Sequence, residues 1–264
     1  MKFTHEIGIG DRVIGDGHPA FVVAEIGINH NGDMGLAVAT IEAAAAAGAD
    51  AVKFQNYVTE DFIQDRALKY SYEQGGEIVT ESQCNMFKRC ELSVDQLSLL
   101  SASCQREGII FHSTPTSEFG VAALEDVGVP FYKNGSDFLG HLPLIRTMAA
   151  TGKPVVLATG MAMEEDIALA LEACGENRNV VVLQCTSLYP TPLEHVNLRR
   201  MISIRDTFGC LVGFSDHTRD AMAATGAVAL GGCWVEKHFT LDRNQSGPDH
   251  RASLEPEELK AMVS

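Results

Sequence analysis

The chain lacks an apolar run long enough to span a bilayer, and its opening "MKFTHEIGIGDRVIGDG" has no signal-peptide core. It is short of cations, with 20 Lys and Arg against 35 Asp and Glu, and the resulting charge of −15 argues against a nucleic-acid or anionic-membrane surface. Neither a G-x-G-x-x-G string nor a P-loop occurs, which disfavours a phosphate site at a helix terminus. Seven cysteines, an odd and scattered set without a C-x-x-C pair, match a reduced intracellular chain. A soluble cytoplasmic protein is expected. Low-complexity segments are absent, and 45% hydrophobic residues supply a substantial core, so the chain should fold throughout.

What is present is a rhythm. After a stretch that reads as a hairpin (1–20), eight apolar runs recur at 21–27, 51–56, 108–115, 130–136, 154–160, 180–186, 211–218 and 233–240. Helix-like segments separate them, several opening on a capping or acidic residue and closing on Gly. Alternation with short connections implies parallel strands and crossover helices. A (β/α)₈ TIM barrel of about 250 residues accounts for residues 1–264 as one domain, with a doubly wound open sheet as the weaker alternative. The long interruption at 57–92 falls on the active-site side of such a barrel and reads as a lid or substrate wall.

Barrel enzymes build their sites at the C-terminal ends of the strands, so polar residues ending apolar runs are candidates. Those ends carry Glu25, Lys53 and Gln55, Thr114, Lys133 and Ser136, Thr159, Thr186 and Ser187, Ser215 and His217, and Glu236 and His238. The period of two puts Ser215 with His217 and Glu236 with His238 on single strand faces. If both faces point inward, the imidazoles lie about 5 Å apart on neighbouring strands. A divalent transition metal acting as Lewis acid fits such a pair, and hydrogen-bonded barrel histidines without metal are the alternative. Asp249 and His250 in "SGPDH" are further ligand or substrate contacts, or parts of a turn.

Lys53 and Lys133 sit inside otherwise apolar runs, so each meets either a carboxylate such as Glu25 or an anionic ligand. With the hydroxyls of Thr114, Ser136 and Ser215 they resemble a phosphate or carboxylate cradle, which would set a basic mouth in an acidic surface. Schiff-base chemistry is the competing use of a lysine there. Glu25 can handle protons or neutralise Lys53. Glu236 can orient substrate or pair with a lysine, and Tyr189 in "LYPTP" reads as a wall residue.

The strings "AEIGINHNGD", "AVKFQNY", "FHSTP", "KNGS", "GKPVVLATGM", "QCTSLYPTP", "GFSDHT" and "VEKHFTLDRNQSGPDH" together resemble, in order, the sialic acid synthases and their pseudaminic and legionaminic acid relatives. The resemblance implies condensation of phosphoenolpyruvate with the aldehyde of an N-acetylated hexosamine, giving a nine-carbon 2-keto-3-deoxy acid and phosphate. It implies Mn2+ on His217 and His238. It implies phosphoenolpyruvate on Lys53, Thr114, Lys133, Ser136, Ser187 and Ser215, and sugar contacts from Gln55, Tyr189, Glu236 and Asp249. Glu25 would handle the proton, with a water on the metal competing for that role, and the assembly would be a homodimer. Three departures stand out. Gln184 occupies a position where the family usually has histidine, Ser187 stands where N-acetylneuraminate enzymes carry Asn, and the antifreeze-like domain usual after the barrel does not follow Ser264. Another phosphoenolpyruvate-dependent aldol synthase, or a non-catalytic sugar-binding subunit, would share many of these features.

Overall fold

The computed structural model describes residues 2–74 and 76–264. Strands β1 (Glu6–Ile9) and β2 (Arg12–Gly15) form an antiparallel hairpin. The repeating unit begins with β3 (Phe21–Gly27), α1 (Met34–Ala46) and β4 (Ala51–Asn56). An excursion follows, built from α2 (Thr59–Phe62), the antiparallel pair β5 (Lys69–Gln74) and β6 (Glu77–Ser82), and α3 (Gln83–Cys90). From α4 (Val94–Glu107) the alternation runs through β7 (Ile110–Pro115), α5 (Glu118–Val127), β8 (Tyr132–Asn134), α6 (Leu142–Ala150) and β9 (Val155–Ala158). It continues with α7 (Glu164–Ala173), β10 (Val180–Cys185), α8 (Arg199–Phe208), β11 (Leu211–Asp216), α9 (Met222–Ala229) and β12 (Trp234–His238), and ends in α10 (Pro256–Val263).

Each of the eight apolar runs contains a barrel strand, and these pair in parallel in the order β7-β4-β3-β12-β11-β10-β9-β8. The first and last, β3 and β12, are hydrogen-bonded neighbours, so the sheet curls on itself and the doubly wound alternative fails. The barrel is nearly closed. Strands β7 and β8 lie side by side, yet among the described residues no ladder joins them. Pro130 offers no N–H just before β8, and β8 is only 3 residues long, so little backbone remains for pairing there.

Local chemistry explains why the intervening segments are helical. Ser93 accepts from the Gln96 N–H while the Gln96 side chain returns to the Ser93 N–H, a reciprocal cap on α4. At its far end Gly108 takes φ 69°, a left-handed turn that a side chain would oppose.

Strand alternation divides the core in two. Val22, Ala24, Ile26, Val52 and Phe54 face outward under the helices. Phe21, Val23, Ala51, Phe131, Val181, Leu183 and Trp234 face inward and fill the lower barrel, where Ile7, Ile9 and Ile14 of the hairpin close the end. Phe21 stacks on Trp234 with centroids 4.7 Å apart, and Phe131 meets Trp234 edge-on at 5.1 Å. Burying each such side chain contributes about 1.5–3 kcal/mol, so this apolar plug is a large part of what holds the strands in register.

One inward position has no side chain because there is no room for it. A Cβ on Gly213 would lie 2.6 Å from both Cβ and the carbonyl oxygen of Trp234 and 2.8 Å from a Leu183 methyl. Gly213→Ala is therefore expected to cost about 1–3 kcal/mol through overpacking. Thermal unfolding followed by the emission of Trp234, the single tryptophan, measures this. An unchanged midpoint would show that the lower barrel can expand.

Candidate active site

Going up β3, β4, β7, β8, β11 and β12 from the apolar plug, the next inward side chain is polar. Register pairs Glu25 with Lys53, Gln55 with Thr114, Ser215 with Glu236, and His238 with Glu25, so adjacent strands deliver these groups at neighbouring heights. They open into a cavity of about 340 Å³. Its lining includes Glu25, Lys53, Gln55, Thr114, Lys133, Ser136, Ser187, Tyr189, Ser215, His217, Glu236, His238 and Asp249, every residue to which the family resemblance gives a role.

The floor is a buried charge network. Lys53 Nζ lies 2.6 Å from Glu25 Oε2, close in distance but poorly aligned for a hydrogen bond, and donates to Thr114 Oγ1 at 3.2 Å. Glu236 Oε1 is 2.9 Å from Lys133 Nζ and 3.6 Å from Lys53 Nζ, and accepts from Ser215 at 3.3 Å. Both lysines therefore pair with carboxylates, and both also face the cavity, so the two uses weighed for them coexist. Glu236 bridges the two cations, a role that strand spacing alone does not reveal.

The two carboxyls respond oppositely to this setting. Burial dominates at Glu25 and, with Glu236 adding repulsion, outweighs Lys53 and carries its pKa to about 7. Burial also pushes Glu236 upward, but Lys133 and Lys53 together overcome it and hold Glu236 at about 2. Near neutrality Glu236 is ionised, while Glu25 is poised to take or give a proton.

His217 and His238 stand beside this network with ring centroids 5.4 Å apart. Burial lowers His217 to about 4 and His238 well below its ordinary value, so both imidazoles are neutral. His217 Nδ1 lies 2.8 Å from the Thr186 carbonyl, which fixes that nitrogen as the N–H and leaves Nε2 its lone pair. Tyr189 lies over His217 at 4.0 Å and meets His238 edge-on at 5.7 Å. Among the described residues no cluster of three or more His, Cys, Asp or Glu forms a closed metal cage. A metal here would rest on two imidazoles, with its other positions left to small ligands.

On the opposite wall Ser136 lies past the end of β8, in the 3₁₀ turn Ser136–Phe138, and its Oγ accepts from the Gly160 N–H at 2.9 Å. Accepting through one of its two lone pairs leaves the hydroxyl proton available to donate. Thr159 and Thr186, also noted at strand ends, donate to the carbonyls of Leu183 and His195 and serve the backbone instead. His250 is held by Thr240 and Asn31 and does not line the cavity, whereas Asp249 does. Gln184 donates to Val196 O and accepts from Arg200, which accounts for a buried amide at that position.

Several lining residues escaped sequence reasoning. Asp137, Phe138, Met161 and Cys185 line the cavity, as do Tyr57, Phe62, Tyr70 and Phe87 from the excursion. Asp137 follows a strand-end serine directly, and that adjacency was the available signal. Beneath the floor, His112 is fully buried against Phe131 at 4.2 Å with neither ring nitrogen hydrogen-bonded.

Known proteins resemble this chain in sequence and in fold. A model of the NeuB family matches residues 40–264. An uncharacterized protein of Methanocaldococcus jannaschii is 42% identical over 261 residues, covering 98% of this chain and 73% of its own. An N,N'-diacetyllegionaminic acid synthase of Campylobacter jejuni is 42% identical over 247 residues, covering 92% of this chain and 74% of its own. Among solved structures, an N-acetylneuraminic acid (sialic acid) synthetase from Leptospira borgpetersenii superposes with TM-score 0.90 at 31% identity, covering 99% of this chain and 87% of that one. A match over most of the sequence, joined to the same barrel, makes this chain a member of the NeuB family of sialic-acid-type synthases.

Proposed function

We propose that this enzyme condenses phosphoenolpyruvate with the open-chain aldehyde of an N-acetylated hexosamine, in a metal-dependent reaction that yields a nine-carbon 2-keto-3-deoxy acid and phosphate. The observation that carries the reading is the pairing of a two-lysine floor with two neutral imidazoles in one barrel mouth.

Lys53 and Lys133, with Thr114, Ser136, Ser187 and Ser215, would hold the phosphate and carboxylate of phosphoenolpyruvate. With Glu236 ionised and Glu25 only partly so near neutrality, the two lysines leave the floor net positive, which suits an anion despite the acidic exterior. Gln55, Tyr189, Glu236 and Asp249 would orient the sugar. The C3 carbon of the enol attacks the aldehyde carbon, and the aldehyde oxygen takes a proton. Glu25, which keeps part of its proton near neutrality, is the group we assign to deliver it. Water then adds at C2, the C2–O bond breaks, and phosphate leaves toward the lysines, whose charge stabilises it. His217 and His238 fit a divalent ion, which we take to be Mn2+, because burial keeps both rings neutral and Thr186 orients the first. Such an ion would supply Lewis-acid polarisation of the aldehyde.

Three outcomes are expected. His238→Ala should lose Mn2+ binding in a titration and lose metal-stimulated phosphate release, and full activity of metal-stripped His238→Ala protein would overturn the metal assignment. Lys53→Ala should lower kcat/KM for phosphoenolpyruvate by about 100-fold, as for loss of one preorganised charge contact, with the barrel still folded by circular dichroism. An acid needs its proton, so activity should fall as pH rises through about 7, and this limb should vanish in Glu25→Gln. Activity that climbs through the same range would reassign Glu25 as a base.

A further inference from the structure

Each of the two cavity imidazoles follows directly on a charged residue that faces the other way. Ser215, His217, Glu236 and His238 line the cavity, so the period of two turns Asp216 and Lys237 to the outer face of the barrel. These two are register partners, and theirs is the last rung of the β11–β12 ladder. His217 therefore lies one residue beyond the ladder, and strand pairing alone does not set its height against His238.

Both side chains are fully buried, at 0% exposure, above Val212 and Phe214 on the outer face and where α9 packs on the two strands. Lys237 Nζ lies 3.1 Å from Asp216 Oδ2, a contact of charge without hydrogen-bond alignment. It donates instead to the carbonyl oxygen of Thr218 and, at 3.1 Å, to its hydroxyl. Asp216 Oδ1 accepts from the Thr218 N–H at 2.7 Å. The peptide group that follows His217 is thus held at both ends, its N–H by Asp216 and its carbonyl by the Thr191 N–H at 2.8 Å. Lys237 holds the next carbonyl from β12.

Stability alone does not call for these charges, because a buried ion pair gains little over apolar side chains of the same size once both ions have left water. What apolar residues could not do is reach from β12 to the backbone after β11. That reach locks the spacing of the strand ends that carry the rings, whose centroids are 5.4 Å apart. The His217 ring is also oriented by Thr186, whereas among the described residues nothing bonds to Nδ1 of His238, which takes its place from packing and from its backbone next to Lys237. We infer that Asp216 and Lys237 are positioning residues for a divalent ion on His217 and His238, acting through the backbone of Thr218 to hold the two imidazoles at ligand spacing. This inference rests on the metal reading above.

The test is the Mn2+ affinity of the full chain, read from the electron paramagnetic resonance signal of free Mn2+, beside circular dichroism and calorimetry of phosphoenolpyruvate binding to the metal-free protein. The double variant Asp216→Asn with Lys237→Met keeps an acceptor for the Thr218 N–H and keeps the apolar stem, and it leaves no buried charge unpaired. It should fold and bind Mn2+ at least about 10-fold more weakly, with phosphoenolpyruvate affinity within about 2-fold of the unaltered chain. Undiminished Mn2+ affinity in the folded variant overturns this inference and leaves the metal reading standing. A matching loss of phosphoenolpyruvate affinity overturns it too, since that marks general damage to the barrel. An unaltered chain that binds no Mn2+ overturns both. If the double variant does not fold, Thr218→Val decides: it removes one contact of Lys237 with both charges still paired, and should weaken Mn2+ binding about 3-fold, an unchanged affinity again overturning the inference.

Discussion

The arrangement of the barrel interior follows from one interaction, the buried chain of charges Glu25, Lys53, Glu236 and Lys133. Taking these ions out of water costs several kcal/mol each, and removing one partner of such a set typically costs about 3–5 kcal/mol. The network therefore holds only if all four strands that carry it, β3, β4, β8 and β12, stand at matched heights. Parallel pairing of β3 with β4 and β12 supplies that match directly, residue against residue. Strand β8 stands four places from β12 in the ring and reaches the network across the barrel interior, so the Lys133–Glu236 pair at 2.9 Å ties together strands that are not neighbours in the sheet.

The charges are affordable because everything below them is apolar. Phe21, Phe131 and Trp234 fill the lower barrel and the hairpin shuts it, so the polar groups have one outlet, upward into the cavity. This layering also has a cost. His112, beneath the lysines, keeps both ring nitrogens unpartnered, and an unsatisfied buried group costs about 1–3 kcal/mol. The same dry surroundings set the carboxyls apart: Glu236, held between two cations, ionises, while Glu25, with one close and poorly aligned lysine, keeps its proton to about 7.

How much of this was legible follows from what each feature depends on. The strands were readable because period-two patterning and Gly or Pro punctuation are local, and the candidate residues were readable because a polar group ending an apolar run is a local anomaly. Glu236 as the bridge between two lysines was not, since it exists only once β12 curls back beside β3 and the barrel brings β8 within reach. The excursion was recognised as a wall by length and composition, but its hairpin β5–β6 and the Tyr57–Phe62–Phe87 triangle were not, because they join residues up to thirty positions apart without a repeating pattern. The seam at β8 escaped as well. The run at Pro130 opens like the run at Pro154, whose strand β9 is paired on both sides, so the sequence offers no local sign that separates the two.

A chain of net charge −15 that is built to bind anions is consistent once distance and dielectric are considered. Exposed carboxylates are screened over about 8 Å at physiological salt, whereas groups on the cavity floor, with Lys53 at 3% exposure, interact through protein rather than electrolyte. The exterior therefore contributes little at the floor, and a few placed lysines decide the local sign. The acidic surface acts instead on what approaches and on the upper wall, where Asp137 and Asp249 extend the exterior's sign into the mouth. An anion small enough to reach the floor would meet Lys53 and Lys133 there, below the level of those carboxylates. The charges of the floor are written into the sequence by the period-two rule of the strands, whereas Asp137 and Asp249 above them belong to the segments that follow β8 and β12.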